Sequence, residues 1–162
     1  TEVCDYQDND CNGLADRDDE NVILSDMDPV CFPDDDKDGY GNEKETGLQT
    51  CFCLGTEADN NQDCADDDET VNPDADFSAT PDKTGSWDLN CDETIELEFA
   101  DALASCVVAY DGRSCTFIEG WQDTKKKSCG DKGIYLTACM PIKTTSGMAC
   151  APTEEARTQN CR

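Results

Sequence analysis

The sequence predicts a mostly irregular, loop-rich fold of repeats stabilised by bound cations and disulfides, followed by a small disulfide-rich β module. Three observations indicate this fold class. The chain of 162 residues carries a formal net charge of −26, it contains 13 Cys, and its acidic residues recur at fixed spacings. A chain of this length suits one domain or two small ones.

The negative charge is confined to the first part of the chain. Residues 1–96 contain 30 acidic and 4 basic residues, whereas residues 97–162 contain 8 of each. We therefore predict an acidic repeat region over 1–96 and a separate domain over 97–162. A tract with this charge and few large apolar residues is often disordered. A disordered tract, however, has no need to place its acids at fixed spacings between cysteines, so we expect carboxylates gathered around cations.

The composition also excludes several classes of function. The chain has no His, which rules out a Ser–His–Asp triad, a Cys–His pair and His-ligated zinc or copper. The negatively charged phosphates of nucleic acids and anionic lipids would be repelled by the net negative charge of the chain, so neither is an expected partner. No run approaches the roughly 20 apolar residues that span a membrane, and no membrane insertion is expected.

The Cys content indicates the compartment. Its density is close to that of disulfide scaffolds. Zinc is the competing explanation, but zinc sites usually show paired C-x-x-C motifs, and the nearest feature here is Cys51-Phe52-Cys53. We therefore expect a secreted or cell-surface protein in which bridges substitute for a large core. Each bridge would contribute about 2–4 kcal/mol.

Two segments match the spacing of calcium-binding loops, in which oxygen-bearing side chains alternate and Gly follows at the sixth position. They begin at Asp8 and Asp34 and reach the turn Gly at Gly13 and Gly39. Side chains at positions 1, 3 and 5 converge on a cation, position 7 offers its carbonyl, and positions 9 and 12 close the shell. The ligands expected at these positions are Asp8, Asp10, Asn12, Leu14, Asp16 and Asp19 in the first loop, and Asp34, Asp36, Asp38, Tyr40, Asn42 and Glu45 in the second.

A third copy begins at Asp88, at an offset of 80 residues from the first. It keeps a Cys at the fourth position, Cys91, but Glu93 replaces the turn Gly and Thr84 stands where Cys4 would map. The alternative for any one of these motifs is a solvent-exposed Asp/Asn/Gly turn that binds no ion. Two well-formed loops and a degraded copy make coincidence a poor explanation. The ligands expected in the third copy are Asp88, Asn90, Asp92 and Glu96.

A further acidic segment, residues 63–68, lies between the copies, and its acids are too closely spaced for a self-contained loop. On one helical turn, Asp63 and Asp66 would share a face and complete the shell of a neighbouring loop. The candidate ligands in this segment are Asp63, Asp66 and Asp68.

The donor set favours Ca²⁺. Hard oxygen ligands suit calcium, magnesium retains its waters and tolerates bent loops less well, and copper prefers Cys, Met or His. Three or four Ca²⁺ ions would cancel 6 to 8 of the 26 excess charges. The acidic region is therefore predicted to consist of calcium- and disulfide-stabilised, loop-rich repeats.

Taken in order, these motifs resemble the metal-binding motif repeats of bacterial extracellular proteins, which are similar to the calcium repeats of thrombospondin type 3. The segments that carry the resemblance are 1–5, 8–13, 34–42, 63–64 and 71–75. The resemblance implies a secreted or surface location and a calcium-organised, loop-rich fold; it does not imply an enzyme, and we expect none. It also implies that the chain begins within a repeat pattern, as part of something larger. The sequence departs from the family at Ala65, Asp74 and Glu93.

The Cys residues suggest a pairing scheme. We expect Cys4 to pair with Cys11, and Cys51 or Cys53 to pair with Cys64, which leaves Cys91 without the partner that its repeat would supply. An odd total requires one thiol that is free or bonded outside the chain. Six further Cys in the second domain could close three bridges in fifteen arrangements; these are Cys106, Cys115, Cys129, Cys139, Cys150 and Cys161.

Residues 97–162 resemble a small β module in their pattern. Alternation of apolar and polar residues predicts a strand over 94–99. Further short strands are expected over 106–110, 116–118 and 134–137, between Gly-containing turns. The basic run 125–127 is expected to be an exposed loop, with an acidic partner, such as the 1–96 region of a neighbouring chain, as the alternative.

We expect a structural or adhesive module of a larger cell-surface protein or assembly, including a filament subunit, with other copies of itself or surface proteins as partners. One alternative is a calcium-dependent carbohydrate- or protein-binding module, whose contact platform would be Trp87, Trp121, Tyr110 or Tyr135. A hydrolase with paired carboxylates is disfavoured, because few large apolar residues stand near the acids to raise a pKa.

Overall fold

The computed structural model describes residues 1–99, 102–123 and 125–162. These residues form strands, turns and irregular segments without an α-helix; the one helical element among them is the 3-10 turn Asp16–Asp18. None of them builds a helix with the length and apolar character needed to cross a membrane. Six disulfides link the described segments. The predicted loop-rich, disulfide-rich fold is thereby confirmed.

The chain forms two compact units, which we call unit 1 and unit 2. Unit 1 comprises residues 1–75 together with 90–92, and unit 2 comprises residues 76–89 together with 93–162. The segment around the third predicted loop therefore divides between the units, with 90–92 in the first of them.

Unit 1 contains five short strands in two small sheets. Strand β1, Glu2–Val3, pairs in parallel with β2, Val22–Ile23. Strand β3, Val30–Pro33, lies between its antiparallel partners, β4 (Leu48–Gln49) and β5 (Glu57–Ala58). The buried apolar residues of the unit are small, namely Cys31, Ala58, Val71 and Ala75. Strands this short require side-chain and covalent ties from the surrounding loops.

Unit 2 contains two antiparallel hairpins. Strand β6, Ser105–Val108, pairs with β7, Cys115–Ile118. Strand β8, Gly120–Trp121, pairs with one edge of β9, Lys132–Thr144, whose other edge pairs with β10, Gly147–Thr158. The predicted strands at 106–110, 116–118 and 134–137 overlap β6, β7 and β9.

The strand predicted over 94–99 was wrong. Only Leu97 forms a β-bridge there, to Cys161. The neighbouring backbone bonds run from Glu96 N–H to the Arg162 carbonyl and from Glu98 N–H to the Asn160 carbonyl. The segment therefore pairs through its backbone with the C-terminal residues 160–162 without forming a regular strand.

The core of unit 2 is an aromatic cluster. Trp121 and Tyr135 meet edge to face with ring centroids 5.1 Å apart, and Phe99 contacts both rings. The indole N–H of Trp121 donates to the side-chain oxygen of Gln159 at 3.1 Å. Because Trp121 and Tyr135 are only 1% and 3% exposed, neither can serve as the binding platform considered from the sequence. Of the other two candidates, Trp87 is half-buried and Tyr110 is exposed.

Three disulfides use the six Cys of unit 2, as expected from their number. Cys106–Cys139 joins β6 to β9, and Cys115–Cys150 joins β7 to β10. The third bridge is Cys129–Cys161. The first hairpin is therefore attached covalently to both strands of the second.

The pairing expected for the remaining Cys was wrong. The bridges are Cys4–Cys51, Cys31–Cys53 and Cys64–Cys91, and Cys11 is free and exposed. Cys11 occupies a left-handed position, φ 60°, within its loop, where it faces solvent. Cys4 instead pairs across 47 residues, a contact made by tertiary structure that sequence proximity could not indicate.

An ion pair ties the 3-10 turn of unit 1 to β5. Arg17 donates through both terminal nitrogens to the carboxylate of Glu57, one at 2.6 Å. Arg17 also donates to the Phe52 carbonyl, and Leu54 N–H donates to Glu57. The bond from Arg17, followed by the Leu54 N–H, lowers the pKa of Glu57 from 4.5 to about 2.

Replacement of this carboxylate, Glu57→Gln, should destabilise unit 1 by about 1–2 kcal/mol at neutral pH, because it leaves a hydrogen-bonded guanidinium without its charge partner. A lowered pKa contributes stability above the unfolded value and loses it as the pH falls. The difference between wild type and variant should therefore shrink between pH 4.5 and 2. Urea titrations over this range measure it, with the exposed Glu20→Gln as control. A difference that is independent of pH would contradict the assignment.

Candidate metal centre

The three predicted loops share one backbone conformation. In each loop the fourth and sixth positions have a positive φ, in the left-handed region that favours Gly. The angles at the fourth position are 60° at Cys11, 70° at Lys37 and 58° at Cys91, and those at the sixth are 92° at Gly13, 96° at Gly39 and 66° at Glu93. The third loop therefore keeps the local turn although Glu93 replaces Gly.

A hydrogen bond across each loop accompanies this conformation. The carboxylate at position 1 accepts from the backbone N–H at position 6, which curls the intervening residues. The distances are 2.8 Å from Gly13 N to Asp8, 3.2 Å from Gly39 N to Asp34, and 3.0 Å from Glu93 N to Asp88. The acid at the first position thus has a structural role in all three loops.

The second loop contributes to a cluster of five carboxylates, which we call the Asp63 cluster. Its members come from two segments, and they are Asp34, Asp36, Asp38, Asp63 and Asp66. Asp63 is completely buried, and Asp34 and Asp66 are only 5% and 9% exposed. Carboxylate oxygens of Asp34, Asp36 and Asp66 lie within 4.8 Å of one another. Five acids are therefore drawn together where water has little access.

Backbone pairing places the second segment against the loop. Asn42 and Asp63 form a parallel β-bridge, in which Asp63 N–H donates to the Gly41 carbonyl at 2.9 Å. Asp66 accepts from the backbone N–H of Asp35 at 2.8 Å and from the side-chain amide of Asn42 at 3.1 Å. The helical turn considered for Asp63 and Asp66 is not formed; a bridge and a tight turn hold these residues instead.

Three oxygens of the cluster are buried without any hydrogen-bond partner. They belong to Asp36, Asp38 and Asp63, one Oδ2 atom in each. The ion pairs formed by described residues do not involve any member of the cluster. Buried polar atoms in native proteins are nearly always paired, and an unpaired buried charge is costly. The cluster therefore has the charge and the open lone pairs that a cation requires.

The electrostatics agree with this geometry. Burial, then repulsion from Asp38, Asp36 and Asp66, raises the pKa of Asp63 to about 6. Burial, then repulsion from Asp38, Asp34 and Asp66, likewise raises the pKa of Asp36. Both raised pKa values mean that ionisation of Asp63 and Asp36 is unfavourable in this site unless a positive charge compensates the negative charges.

The other predicted ligands of the second loop have different surroundings. Tyr40 N–H donates to Asp38, and its hydroxyl donates to Asp74 at 2.7 Å, which fixes the residue whose carbonyl was expected to bind. The amide of Asn42 is engaged by Asp66 and by Lys44 N–H. Glu45 is exposed on the following turn. The acid that lies close to Asp36 and Asp38 is Asp63, which both of them influence electrostatically.

The first loop surrounds a different acidic group. Asp16 and Asp19 are 4% and 2% exposed, and beside them lies Glu2, which is completely buried. Glu2 accepts from the N–H of Asn9 at 3.0 Å and from that of Asp16 at 3.3 Å. Carboxylate oxygens of Glu2, Asp10 and Asp19 all lie within 4.8 Å of one another, and the same holds for those of Glu2, Asp5 and Asp16.

The sequence pattern did not point to Glu2, since that residue precedes the loop and matches no ligand position. Asn12 and Leu14, the fifth and seventh positions of this loop, form hydrogen bonds that stabilise its turn. Asn12 donates to Asp19 at 2.7 Å and accepts from Leu14 N–H at 2.8 Å. The carboxylate of Asp19 also accepts from the N–H of Asn21, the main cause of its lowered pKa.

The remaining predicted ligands are dispersed. The carboxylate of Glu96 lies 3.9 Å from Arg162, which gives it a cationic neighbour. Asn90 has a buried side-chain oxygen without a hydrogen-bond partner, and Asp92 is exposed. Asp68 accepts from the N–H and hydroxyl of Thr70 in a local turn.

The conformation of the loops can be tested at their sixth positions. Gly13→Ala should destabilise unit 1 by about 1 kcal/mol, because an added Cβ meets no atom within 4 Å and only the positive φ opposes it. Glu93→Gly should stabilise by about 0.5–1 kcal/mol for the converse reason. Thermal or urea unfolding measures both. Gly55→Ala is the control, since its Cβ is equally unobstructed and its φ is not positive; equal losses at Gly13 and Gly55 would refute the explanation.

The Asp63 cluster predicts an unusual pH dependence in a chelator. Because the pKa of Asp63 is raised from 3.8 to about 6, the folded state binds the proton more tightly than the unfolded state. The free energy of unfolding should therefore fall as the pH rises through this interval. Asp63→Asn should be more stable than wild type in EDTA at pH above about 6 and equally stable near pH 3.8. Thermal unfolding measures this difference, with the exposed Asp26→Asn as the charge-matched control. If Asp63→Asn is less stable than wild type in EDTA above about pH 6, the explanation is refuted.

Comparisons with known proteins identify no relative of this chain. No model of a protein family, no curated protein and no solved structure matches the chain. The resemblance to extracellular metal-binding repeats therefore rests on the motifs alone. What the structure adds to those motifs is the Asp63 cluster, where buried acids from two segments meet around three unpartnered oxygens.

Proposed function

We propose that the Asp63 cluster binds a calcium ion, and that the chain is an extracellular, calcium-organised structural or adhesive building block of a surface protein or assembly. The observation that carries this proposal is the group of three buried oxygens without partners, on Asp36, Asp38 and Asp63. A cation among them would satisfy all three lone pairs and offset the mutual repulsion of five carboxylates.

The donor set supports calcium over other metals. Calcium accepts six to eight oxygen ligands in flexible arrangements, whereas magnesium demands near-ideal octahedral geometry. The cluster offers carboxylates on an irregular loop and a neighbouring bridge, and the loop pattern adds the Tyr40 carbonyl as an expected ligand. The chain has no His, and the two Cys near this cluster, Cys64 and Cys91, are joined in a disulfide.

The composition of unit 1 supports a structural role for the ion. Its buried apolar residues are few and small, so burial alone contributes little to its stability. The bound ion would join the loop 34–42 to the segment 63–66. Extracellular calcium sites commonly have dissociation constants of ~10⁻⁴–10⁻³ M. At about ten times that concentration, each occupied site would add about 1.4 kcal/mol.

The six disulfides fit an oxidising, extracellular setting. The three or four ions expected from the sequence include the one at the Asp63 cluster. The first loop, with its buried Glu2, Asp16 and Asp19, is the next location at which an ion is expected.

The direct test is calcium titration followed by limited proteolysis. Isothermal titration of the chelator-treated chain should reveal at least one calcium site, and Asp63→Asn should remove it or weaken it by at least tenfold, since the variant loses a buried ligand charge. Calcium should slow cleavage within residues 1–75, and EDTA should restore it. Asp26→Asn should behave as wild type, and magnesium should substitute poorly. Digestion that is identical with calcium and with EDTA would refute the proposal.

A further inference from the structure

We propose that calcium at the Asp63 cluster controls the access of reductants to the Cys64–Cys91 disulfide, so that metal occupancy and the redox state of this one bridge are coupled. The inference rests on the proposed calcium binding and adds a regulated covalent bond to it. Cys64 directly follows Asp63, and Cys91 is the fourth residue of the third loop, 27 residues further along the chain.

The bridge and the cluster are in contact. A carboxylate oxygen of Asp63 and the sulfurs of Cys64 and Cys91 lie within 4.8 Å of one another. The N–H of Cys64 donates to the sulfur of Cys91 at 3.3 Å, and the N–H of Ala65 donates to Asp63 at 2.7 Å. Both Cys are half-buried. A displacement of Asp63 must therefore move the disulfide as well.

The attachment of this segment depends on charge compensation. The β-bridge to Asn42 brings Asp63 against Asp36 and Asp38, whose unpartnered oxygens face a buried like charge. With a cation in place, the attraction of all three carboxylates to one centre holds the bridge closed. Without it, their repulsion favours separation of the segment 63–66 from the loop, and the disulfide becomes exposed to solvent.

A second electrostatic effect acts in the opposite direction. A thiolate reductant is an anion, and the uncompensated carboxylates would repel it, so calcium would assist its approach. This repulsion is weakened by salt, because the Debye length is about 8 Å at physiological ionic strength. Opening of the segment, by contrast, increases the access of any reductant to this half-buried bond. An uncharged reductant separates the two effects.

A neutral trialkylphosphine is therefore the suitable probe. Phosphorus attacks one sulfur and the S–S bond breaks. Water then supplies an oxygen to phosphorus and two protons to the two Cys thiolates. The phosphine is oxidised by two electrons to its oxide, and the disulfide is reduced to two thiols. This step requires access alone and no favourable charge on the attacking group.

The experiment uses the full chain with tris(hydroxypropyl)phosphine, in calcium or in EGTA, with alkylation at timed intervals and peptide mass spectrometry of each bridge. Calcium at about ten times its dissociation constant should slow reduction of Cys64–Cys91 about tenfold, since opening is suppressed by that factor. Cys129–Cys161, which lies in unit 2, is the internal control and should not change. Asp63→Asn should reduce the calcium effect to about twofold or less, and Asp26→Asn should retain it.

The outcomes separate this inference from the proposed function. If titration shows calcium binding but Cys64–Cys91 is reduced at the same rate with and without it, the coupling is refuted and the calcium site stands. If every bridge responds equally, the effect is global and the coupling is again refuted. Absence of calcium binding overturns both. A positive result has a further check: if the intact bridge favours the closed segment that binds calcium, Cys64→Ser with Cys91→Ser should weaken calcium binding.

Discussion

The arrangement of unit 1 depends on the close approach of carboxylates that repel one another. Asp63 is completely buried among acids, and the backbone pairing with Asn42 forces that proximity. An isolated acidic turn can relax by turning its side chains to water, but a buried cluster has no such freedom. A proton or a cation can relieve this repulsion while the segment stays in place. The proton removes one charge, whereas a cation would engage several oxygens together.

The two units solve the problem of a small core by different means. Unit 2 buries large side chains, with Trp121 and Tyr135 at its centre and Gln159 satisfying the indole. Unit 1 buries little apolar surface and much polar surface. Its cohesion comes from disulfides and from side-chain bonds to backbone N–H groups, such as those that Asp34 accepts from Lys37 and Gly39. This difference follows the distribution of acids along the sequence.

Local features of the fold were predictable from the sequence, and non-local ones were not. The spacing of acids and Gly specified the turns at Gly13 and Gly39, because a left-handed residue is a local requirement. Glu93 replaces the turn Gly of the third copy, and the backbone nevertheless keeps a positive φ there and a hydrogen bond to Asp88. The likelihood of bridges was evident from the Cys content, but their partners depend on strands that meet across dozens of residues, as Cys4 and Cys51 do.

The same distinction applies to the candidate metal centre. Asp34, Asp36 and Asp38 follow from one motif. The sequence also predicted that Asp63 completes a neighbouring loop, but not the β-bridge to Asn42 that holds it there, because that pairing is non-local. Glu45 satisfies the spacing rule but faces solvent, because the chain turns at that point. Glu2 is buried beside the first loop through the parallel pairing of β1 with β2, and an isolated acid before a motif gives no signal of this.

The attachment of the β6–β7 hairpin to the long β9–β10 hairpin has a mechanical consequence. Antiparallel ribbons separate easily when their hydrogen bonds are loaded one at a time from the open end. Here Cys139 and Cys150 are each bonded to the shorter hairpin, and Cys161 is bonded to Cys129. A pulling force on the C-terminal strand would meet covalent stops after a short extension, so unit 2 would transmit tension with little lengthening.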